Sequence, residues 1–388
     1  MATNTNQRKT SGSGSAHRKG SARQRQAKQK KKVIIFGIEI AVILVMIGVL
    51  YVVMVGTDKA SEIKRVELKV EELAIPSQVQ EEKESGGTMH GYMNIALFGV
   101  DIDSYSKLDS GLTKGFRSDS TMIASVNLDT GDIKLVSVYR DTLLNLGNDT
   151  YDKCNGAYSK GGASQAIKML NMNLDMDIEN FITVGYKGLS EVIDGLGGIY
   201  IDIDSEEIKY INDYQYCIAD VLKCEYTPVK ETGYQKVDGI QAAAYCRIRY
   251  TKGDDFKRTA RQREVIKAME EQAKKADVST LISVFEAASG DIYTSLDTAD
   301  IMTLLQNINK YQIVDEGGFP EESMRAVKNL GAIGSCVIPW NGSSDGLEQN
   351  VIWLHEFLFD DEEYTVSSTV KECGADIYAK AAKYMGAQ

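Results

Sequence analysis

The chain has six cysteines but no C-x-x-C pair, and its three histidines, His17, His90 and His355, are scattered. A zinc site needs closely spaced Cys and His ligands, so this distribution argues against one. H-E-x-x-H is missing, as is any Cys and His placed to act together, which removes the zinc-protease helix and the activated thiol. Gly195, Gly197 and Gly198 follow a helical pattern instead of a strand, so they read as a helix stop and not as a dinucleotide loop. No internal repeat is visible. Arginine is also scarce: beyond Arg65, lysine supplies the ordinary surface cations. Every later arginine except Arg325 falls in one of three stretches, Arg117 with Arg140, Arg247 with Arg249, and Arg258 with Arg261 and Arg263.

Residues 1–32 lack Asp and Glu entirely and carry ten Lys and Arg, a composition expected of a disordered basic tail. Residues 33–55 are nearly all apolar, with Glu39 the one charge. At about 1.5 Å per residue such a run can cross a hydrocarbon core of about 30 Å as one transmembrane helix. It is too long for a cleavable signal peptide, and no A-x-A-like site follows it. The basic flank orients the tail to the cytoplasm and everything after about Thr57 to the outside, a single-pass cell-membrane protein. Taking the tail's ten positive charges out of a net charge of −11 leaves the rest near −21. An exported acidic domain of that kind is a poor nucleic-acid binder. Outside the membrane disulfides are permitted, and Cys217 and Cys224 could close a small loop. Cys246 is expected to be a small buried hydrophobe.

Residues 56–91 read as an extracytoplasmic stalk or a short docking helix, and residues 92–388 as the folded domain. The organising stretch is Asn94 to Leu144. The apolar run Asn94-Ile-Ala-Leu-Phe-Gly-Val ends at Asp101. Arg117-Ser-Asp119 leads into Thr121 to Val126, and Ile133 to Val138 leads into Arg140-Asp141. Charges at strand ends are costly to bury unless they are paired or bound to something, which points to a metal and anion site or, more simply, to an ion-pair cluster. Further on, the pattern predicts helices over 163–173, 186–194, 239–244 and 256–275, and strands over 181–184, 199–203, 245–250 and 334–338. Residues 205–238 form a polar insertion at the sheet edge. Alternating strands and helices indicate an α/β fold whose sheet is covered on both faces. Guanidinium is a planar fork suited to phosphate oxygens. On a strand, Arg247 and Arg249 would share a face, and on the helix that follows so would Arg258, Arg261 and Gln262, while Arg263 points away. Lys153 and Asn155, just after Arg140-Asp141, could reach the same pocket. Carboxylates beside such arginines fit a hard cation, Mg²⁺ first and Mn²⁺ second.

Taken together, Gly99-Val-Asp101, Arg117-Ser-Asp119, Tyr139-Arg-Asp-Thr142, Lys153-Cys-Asn-Gly-Ala-Tyr158, Leu196-Gly-Gly198, Tyr245-Cys-Arg-Ile-Arg-Tyr250 and Asp255-Phe-Lys-Arg258 to Arg261-Gln262 resemble the LytR-CpsA-Psr family. The resemblance covers about Asn94 to Lys275. It implies a central mixed β-sheet with helices on both faces, preceded by the membrane helix. It further implies an enzyme that moves an anionic glycopolymer (wall teichoic acid or capsular polysaccharide) from a polyprenyl pyrophosphate carrier to peptidoglycan as a phosphodiester. On that resemblance Asp101 and Asp119 would hold Mg²⁺, and Arg117, Arg140, Lys153, Arg247, Arg249, Arg258 and Gln262 would surround the pyrophosphate. Asp141, or else Asp119, would be the general base beside Arg140. A pyrophosphatase would need the same groups, and a non-catalytic envelope-binding protein could retain the same pocket. Cys154, Gly156 and Cys246 depart from the family's usual residues and bear on pocket shape.

Overall fold

The computed structural model describes residues 64–100, 116–251, 254–273, 275–277, 280, 283–284, 287–296 and 312–386. The expected tail, the membrane span and Asp101 lie outside these residues. Among the described residues no helix is long and apolar enough to cross a membrane. Among the described residues seven strands form the central sheet: β1 (Lys64–Arg65), β2 (Tyr92–Val100), β3 (Ser118–Asn127), β4 (Asp132–Val138), β7 (Asn180–Gly185), β10 (Ile292–Thr294) and β11 (Gln312–Phe319). Their order is β1-β10-β7-β2-β3-β4-β11, and β5 (Leu143–Asn145) pairs with β6 (Tyr151–Lys153) apart from them. β2 runs parallel to β7, and β4 parallel to β11, while β3 is antiparallel to both β2 and β4. The carboxyl ends of β2, β4, β7 and β11 and the amino end of β3 therefore lie along one edge. In open α/β sheets this is the edge where ligands bind.

Alternation along the strands sends two sets of apolar side chains to opposite faces. Ala96, Phe98, Val100, Ile123, Val138 and Phe181 join one core with α2 (Asn155–Leu174), α7 (Gly346–Phe359) and α8 (Ser368–Met385). Ile182 and Val184 pack on the other core, which contains α3 (Tyr186–Gly195), α4 (Ser205–Leu222), α5 (Gly239–Tyr245) and α6 (Asp254–Ala273). The helix expected over 163–173 begins earlier, at Asn155, and carries Gly162 at φ 69° and ψ −155° inside it, a backbone turn for which glycine is suited.

Four expectations are corrected. Residues 64–91 do not stand off as a stalk but dock on the body, as the alternative of a short docking helix expects: β1 pairs with β10, α1 (Ser77–Glu84) buries Val79, and Leu73 and Met89 are fully buried in the first core. The strand at 199–203 (β8) leaves the central sheet and pairs with β9 (Gly233–Val237) in a separate hairpin. Between them the polar insertion is mostly helix α4, started by a capping box in which the Asp204 carboxylate accepts from the Glu207 amide and Glu207 returns the favour to the Asp204 amide. Cys217 and Cys224 are both free and exposed. Cys217 sits inside α4, and Cys224 follows its left-handed cap at Lys223 with its amide donating back to the Ala219 carbonyl. Finally, the strand expected at 245–250 is the end of α5 followed by a turn, and this changes how its arginines are aimed.

The C-terminal helices are fastened to α2 by a fully buried histidine. Nε2 of His355 lies 3.0 Å from the Leu174 carbonyl, and the ring stacks on Tyr364 at 3.6 Å. Burial lowers its pKa to about 4. The unfolded chain, near 6.5, then binds a proton the folded chain refuses, so stability falls as pH drops from 6.5 to about 4. Compared with His355→Phe in a denaturant titration at several pH values, the native chain should lose about 3 kcal/mol more across that window. Parallel pH curves for the two proteins would show that the imidazole is solvated in solution.

Candidate functional site

The turn after β4 is braced from every side. The amide of Tyr139 donates to Phe319 on β11, that of Asn155 to Arg140, that of Val337 to Asp141, and that of Cys154 to Thr142. With four backbone groups pinned by three different segments, Arg140 and Asp141 rest on a rigid platform. Cys154 is the hidden part of that brace: its thiol donates to the Tyr139 carbonyl at 3.2 Å, and burial pushes its pKa up, as for an inert structural thiol. Next door, Tyr139 meets Phe256 edge-on at 4.6 Å, and Arg325 lies over both rings, tying the start of α6 to the same edge.

Across the sheet, Gly99 pairs with Ser120 and Val100 with Ser118, so Asp119 falls in a register shift without a partner opposite it. A bulge of this kind re-aims a side chain. Asp119 turns its Oδ1 to Arg140 Nη1 at 2.5 Å, and its Oδ2 accepts from the Tyr186 hydroxyl at 3.4 Å. Tyr186 opens α3 directly after β7, whose Gly185 pairs with Val100.

From there a chain of opposite charges runs inward. Asp141 Oδ1 lies 3.2 Å from Lys153 Nζ and 3.6 Å from Arg140 Nε, and its Oδ2 lies 4.0 Å from Arg249 Nη2. Arg249 Nε is 3.6 Å from Asp255 Oδ1, which Arg258 Nη2 approaches to 2.7 Å. Arg258 Nη2 also donates to the Asp119 carbonyl at 3.2 Å, closing the ring. Arg258 is 2 % exposed and Asp255 7 %. Burial lowers the pKa of Arg258 and raises that of Asp255, since each charged form is poorly solvated even beside the other. Described cations outnumber carboxylates here, which favours an incoming anion.

Six buried side-chain nitrogens among the described residues lack a hydrogen-bond partner, and four of them are at this edge: Arg140 Nε, Arg249 Nε, Arg258 Nε and Asn155 Nδ2. Buried donors are costly to leave unmet, so a cluster of them marks where acceptor oxygens belong.

The structure therefore brings Asp119, Arg140, Asp141, Lys153, Arg249 and Arg258 together. Arg247 adjoins them with its guanidinium 4.6 Å from the Tyr186 ring and 5.2 Å from the Tyr214 ring. It does not share a strand face with Arg249, because the segment is a turn. Arg117 is exposed just ahead of β3. Gln262 Nε2 lies 3.4 Å from the Cys246 carbonyl and steadies the turn from behind. Arg261, expected on the same face, goes elsewhere, to Glu207. Arg263 points away as expected, to Ser137 and Glu316. Cys246 is buried, its pKa pushed up to about 12. Sequence reasoning missed Asp255 and Tyr186 as members of the ring. The pair Asp254-Asp255 reads as a surface partner for the arginines, whereas Asp255 pairs with them out of water.

A G-x-S-x-G run does occur at Gly342-Ser-Ser-Asp-Gly346, but Ser344 lies exposed in the loop before α7. His355, the histidine nearest to it in sequence, is buried on Leu174.

No group of three or more metal-binding side chains is found among the described residues. Mg²⁺ keeps several waters and is satisfied by one or two carboxylates plus phosphate oxygens. Asp119, partly exposed with Oδ2 held only by a long tyrosine contact, fits that smaller demand.

Biofilm regulatory protein A of Streptococcus mutans is 31% identical over 242 residues, 58% of this chain and 57% of that protein. The polyisoprenyl-teichoic acid–peptidoglycan teichoic acid transferase TagU of Enterococcus faecalis is 29% identical over 212 residues, 54% of this chain and 63% of that protein. The chain thus spans less than two thirds of the length of either relative. The crystal structure of protein gbs0355 from Streptococcus agalactiae is similar at a TM-score of 0.58 and 25% identity, over 76% of this chain and 95% of that one. The model of the LytR_cpsA_psr family matches residues 50–330, well over half of the sequence, and the chain belongs to that family.

Proposed function

We propose that the protein transfers an anionic glycopolymer, such as wall teichoic acid or capsular polysaccharide, from a polyprenyl pyrophosphate carrier to peptidoglycan at the outer face of a cell membrane. The observation that carries this reading is the group of unmet buried donors on Arg140, Arg249, Arg258 and Asn155 at one sheet edge. A pyrophosphate supplies the several close-set oxygens they call for. Membership of the family and the activity named for the Enterococcus faecalis relative support the choice of substrates.

In this mechanism the guanidinium groups and Lys153 bind and orient the pyrophosphate. They also stabilise charge that builds on the phosphoryl oxygens. A glycan hydroxyl oxygen bonds to the phosphorus that bears the polymer. The bond from that phosphorus to the bridging oxygen breaks, and polyprenyl monophosphate leaves. The hydroxyl proton passes to Asp141, whose Oδ1 is ion-paired with Lys153 at 3.2 Å but accepts no hydrogen bond within the chain, whereas both oxygens of Asp119 accept one. Asp119, with Asp101, would hold Mg²⁺, which when bound adds positive charge beside the phosphoryl oxygens.

The test uses the full chain in lipid nanodiscs with a polyprenyl-pyrophosphate-linked saccharide and a peptidoglycan oligomer, with and without Mg²⁺, read by mass spectrometry. A joined saccharide–phosphate–glycan product that needs both metal and acceptor is expected. Lipid monophosphate and free saccharide phosphate with no joined product would replace transfer by hydrolysis.

A further inference from the structure

Beyond Arg247 the charged edge continues into aromatic rings. Tyr210 and Tyr214 are four residues apart on α4, and so lie on one face of it. Tyr214 contributes one of the two rings flanking the Arg247 guanidinium, the other being Tyr186, whose hydroxyl reaches Asp119. Tyr250, three residues along the turn from Arg247, sets its ring 6.2 Å from that of Tyr210 at an interplanar angle of 38°. It is 72% exposed. Lys209 lies over the Tyr210 ring at 5.9 Å. A single exposed tyrosine is ordinary, but a contiguous set that runs from the half-buried Tyr210 and Tyr214 to the exposed Tyr250 and leads from a charged site marks a binding surface.

The chemistry of the set selects its occupant. An aromatic face is the negative side of a quadrupole, and it is flat, rigid and able to keep its hydroxyl in water. The axial C–H bonds of a sugar ring present a matching patch of weakly positive hydrogens, with hydroxyls around the rim. Arg247 and Lys209 bracket the rings with positive charge, which suits a saccharide that carries phosphate. Resting on the reading above, in which the arginines take the pyrophosphate, we propose that Tyr250, Tyr210 and Tyr214 form a sugar subsite that stacks the ring nearest the reacting phosphate. The sugar comes either from the donor polymer or from the acceptor glycan; the two share this chemistry.

The test compares the native full chain in nanodiscs with Tyr250→Ala and Tyr250→Trp, measuring binding of three probes by calorimetry: polyprenyl pyrophosphate, the same lipid bearing one N-acetylhexosamine, and a soluble N-acetylhexosamine oligomer. Tyr250→Ala should weaken a sugar-bearing probe about fivefold to tenfold while leaving the bare lipid within about twofold, and Tyr250→Trp should restore the loss. Loss confined to the lipid-linked sugar assigns the subsite to the donor. Loss confined to the soluble oligomer assigns it to the acceptor, and loss with both makes it shared. If the native chain ignores the bare lipid yet binds a sugar probe that Tyr250→Ala weakens, the subsite stands and the pyrophosphate reading fails. Failure of the native chain to bind either sugar probe would overturn the subsite. So would equal weakening of all three probes, or no weakening of either sugar probe.

Discussion

Arg140→Ala should lower polymer transfer by about two to three orders of magnitude and weaken polyprenyl pyrophosphate binding in parallel. The size follows from what this side chain does in the ring. Its Nη1 holds Asp119 at 2.5 Å, its Nε lies 3.6 Å from Asp141, and that same Nε is one of the unmet buried donors. Truncation removes a directed donor to phosphate. It also leaves Asp119 and Asp141 facing an anionic substrate with less compensation, so the ground-state complex and the transition state both suffer. Arg140→Lys restores a point charge without the fork and should recover part of the binding, about tenfold short of native activity. The backbone at Arg140 is pinned independently of its side chain, so both variants should melt close to the native protein. Transfer by Arg140→Ala at more than a tenth of the native rate would remove Arg140 from the role given to it.

How far the sequence foretold this site depends on which residue is asked about. Asp119, Arg140 and Asp141 were legible because strand periodicity alone puts them at strand ends, and the antiparallel and parallel pairings of β2, β3, β4 and β7 then gather those ends on one edge. The bulge that aims Asp119 was not legible, since it depends on a one-residue mismatch between β3 and β2 that no local pattern records. Arg247 and Arg249 were found by residue type but misplaced by conformation. Tyr245-Cys-Arg-Ile-Arg-Tyr250 has the alternation of a strand, and its backbone forms a turn because α5 starts from its own capping box, Asp238 with Gln241, and runs on into the segment. The same device hid α4: the polar run 205–238 reads as an insertion at the sheet edge on composition, yet Asp204-Ser-Glu-Glu207 is a helix start that its chemistry announces. Asp255 was passed over because a carboxylate next to arginines reads as a surface pair unless its burial is known. The C-terminal helix α8 and its anchoring to α2 through Asp175 and Ser367 depend on contacts between residues far apart in sequence, which local periodicity does not report.

Arg261→Met should destabilise the protein by about 3 to 5 kcal/mol, the range expected when one partner of a buried ion pair is removed and the other stays. Arg261 is 2% exposed, and its Nε meets Glu207 Oε1 at 2.7 Å. Nη1 donates to the Ile248 carbonyl at 3.2 Å and Nη2 to the Thr251 hydroxyl at 2.8 Å. One guanidinium therefore joins three segments: the start of α4, the arginine-bearing turn and the middle of α6. In thermal unfolding the loss should appear as a fall of on the order of 10 °C in Tm. Adding Glu207→Gln should recover much of it, because the amide still accepts from the Asp204 backbone but no longer leaves a buried charge whose remaining cation, Lys257, is 3.6 Å away. The stability so recovered should not return transfer activity, since the Ile248 and Thr251 bonds that fix the turn between Arg247 and Tyr250 are still missing. A double variant that is both stable and fully active would show that the turn holds its arginines in place without Arg261. A single variant costing under about 1 kcal/mol would mean that water reaches Glu207 and shares its charge.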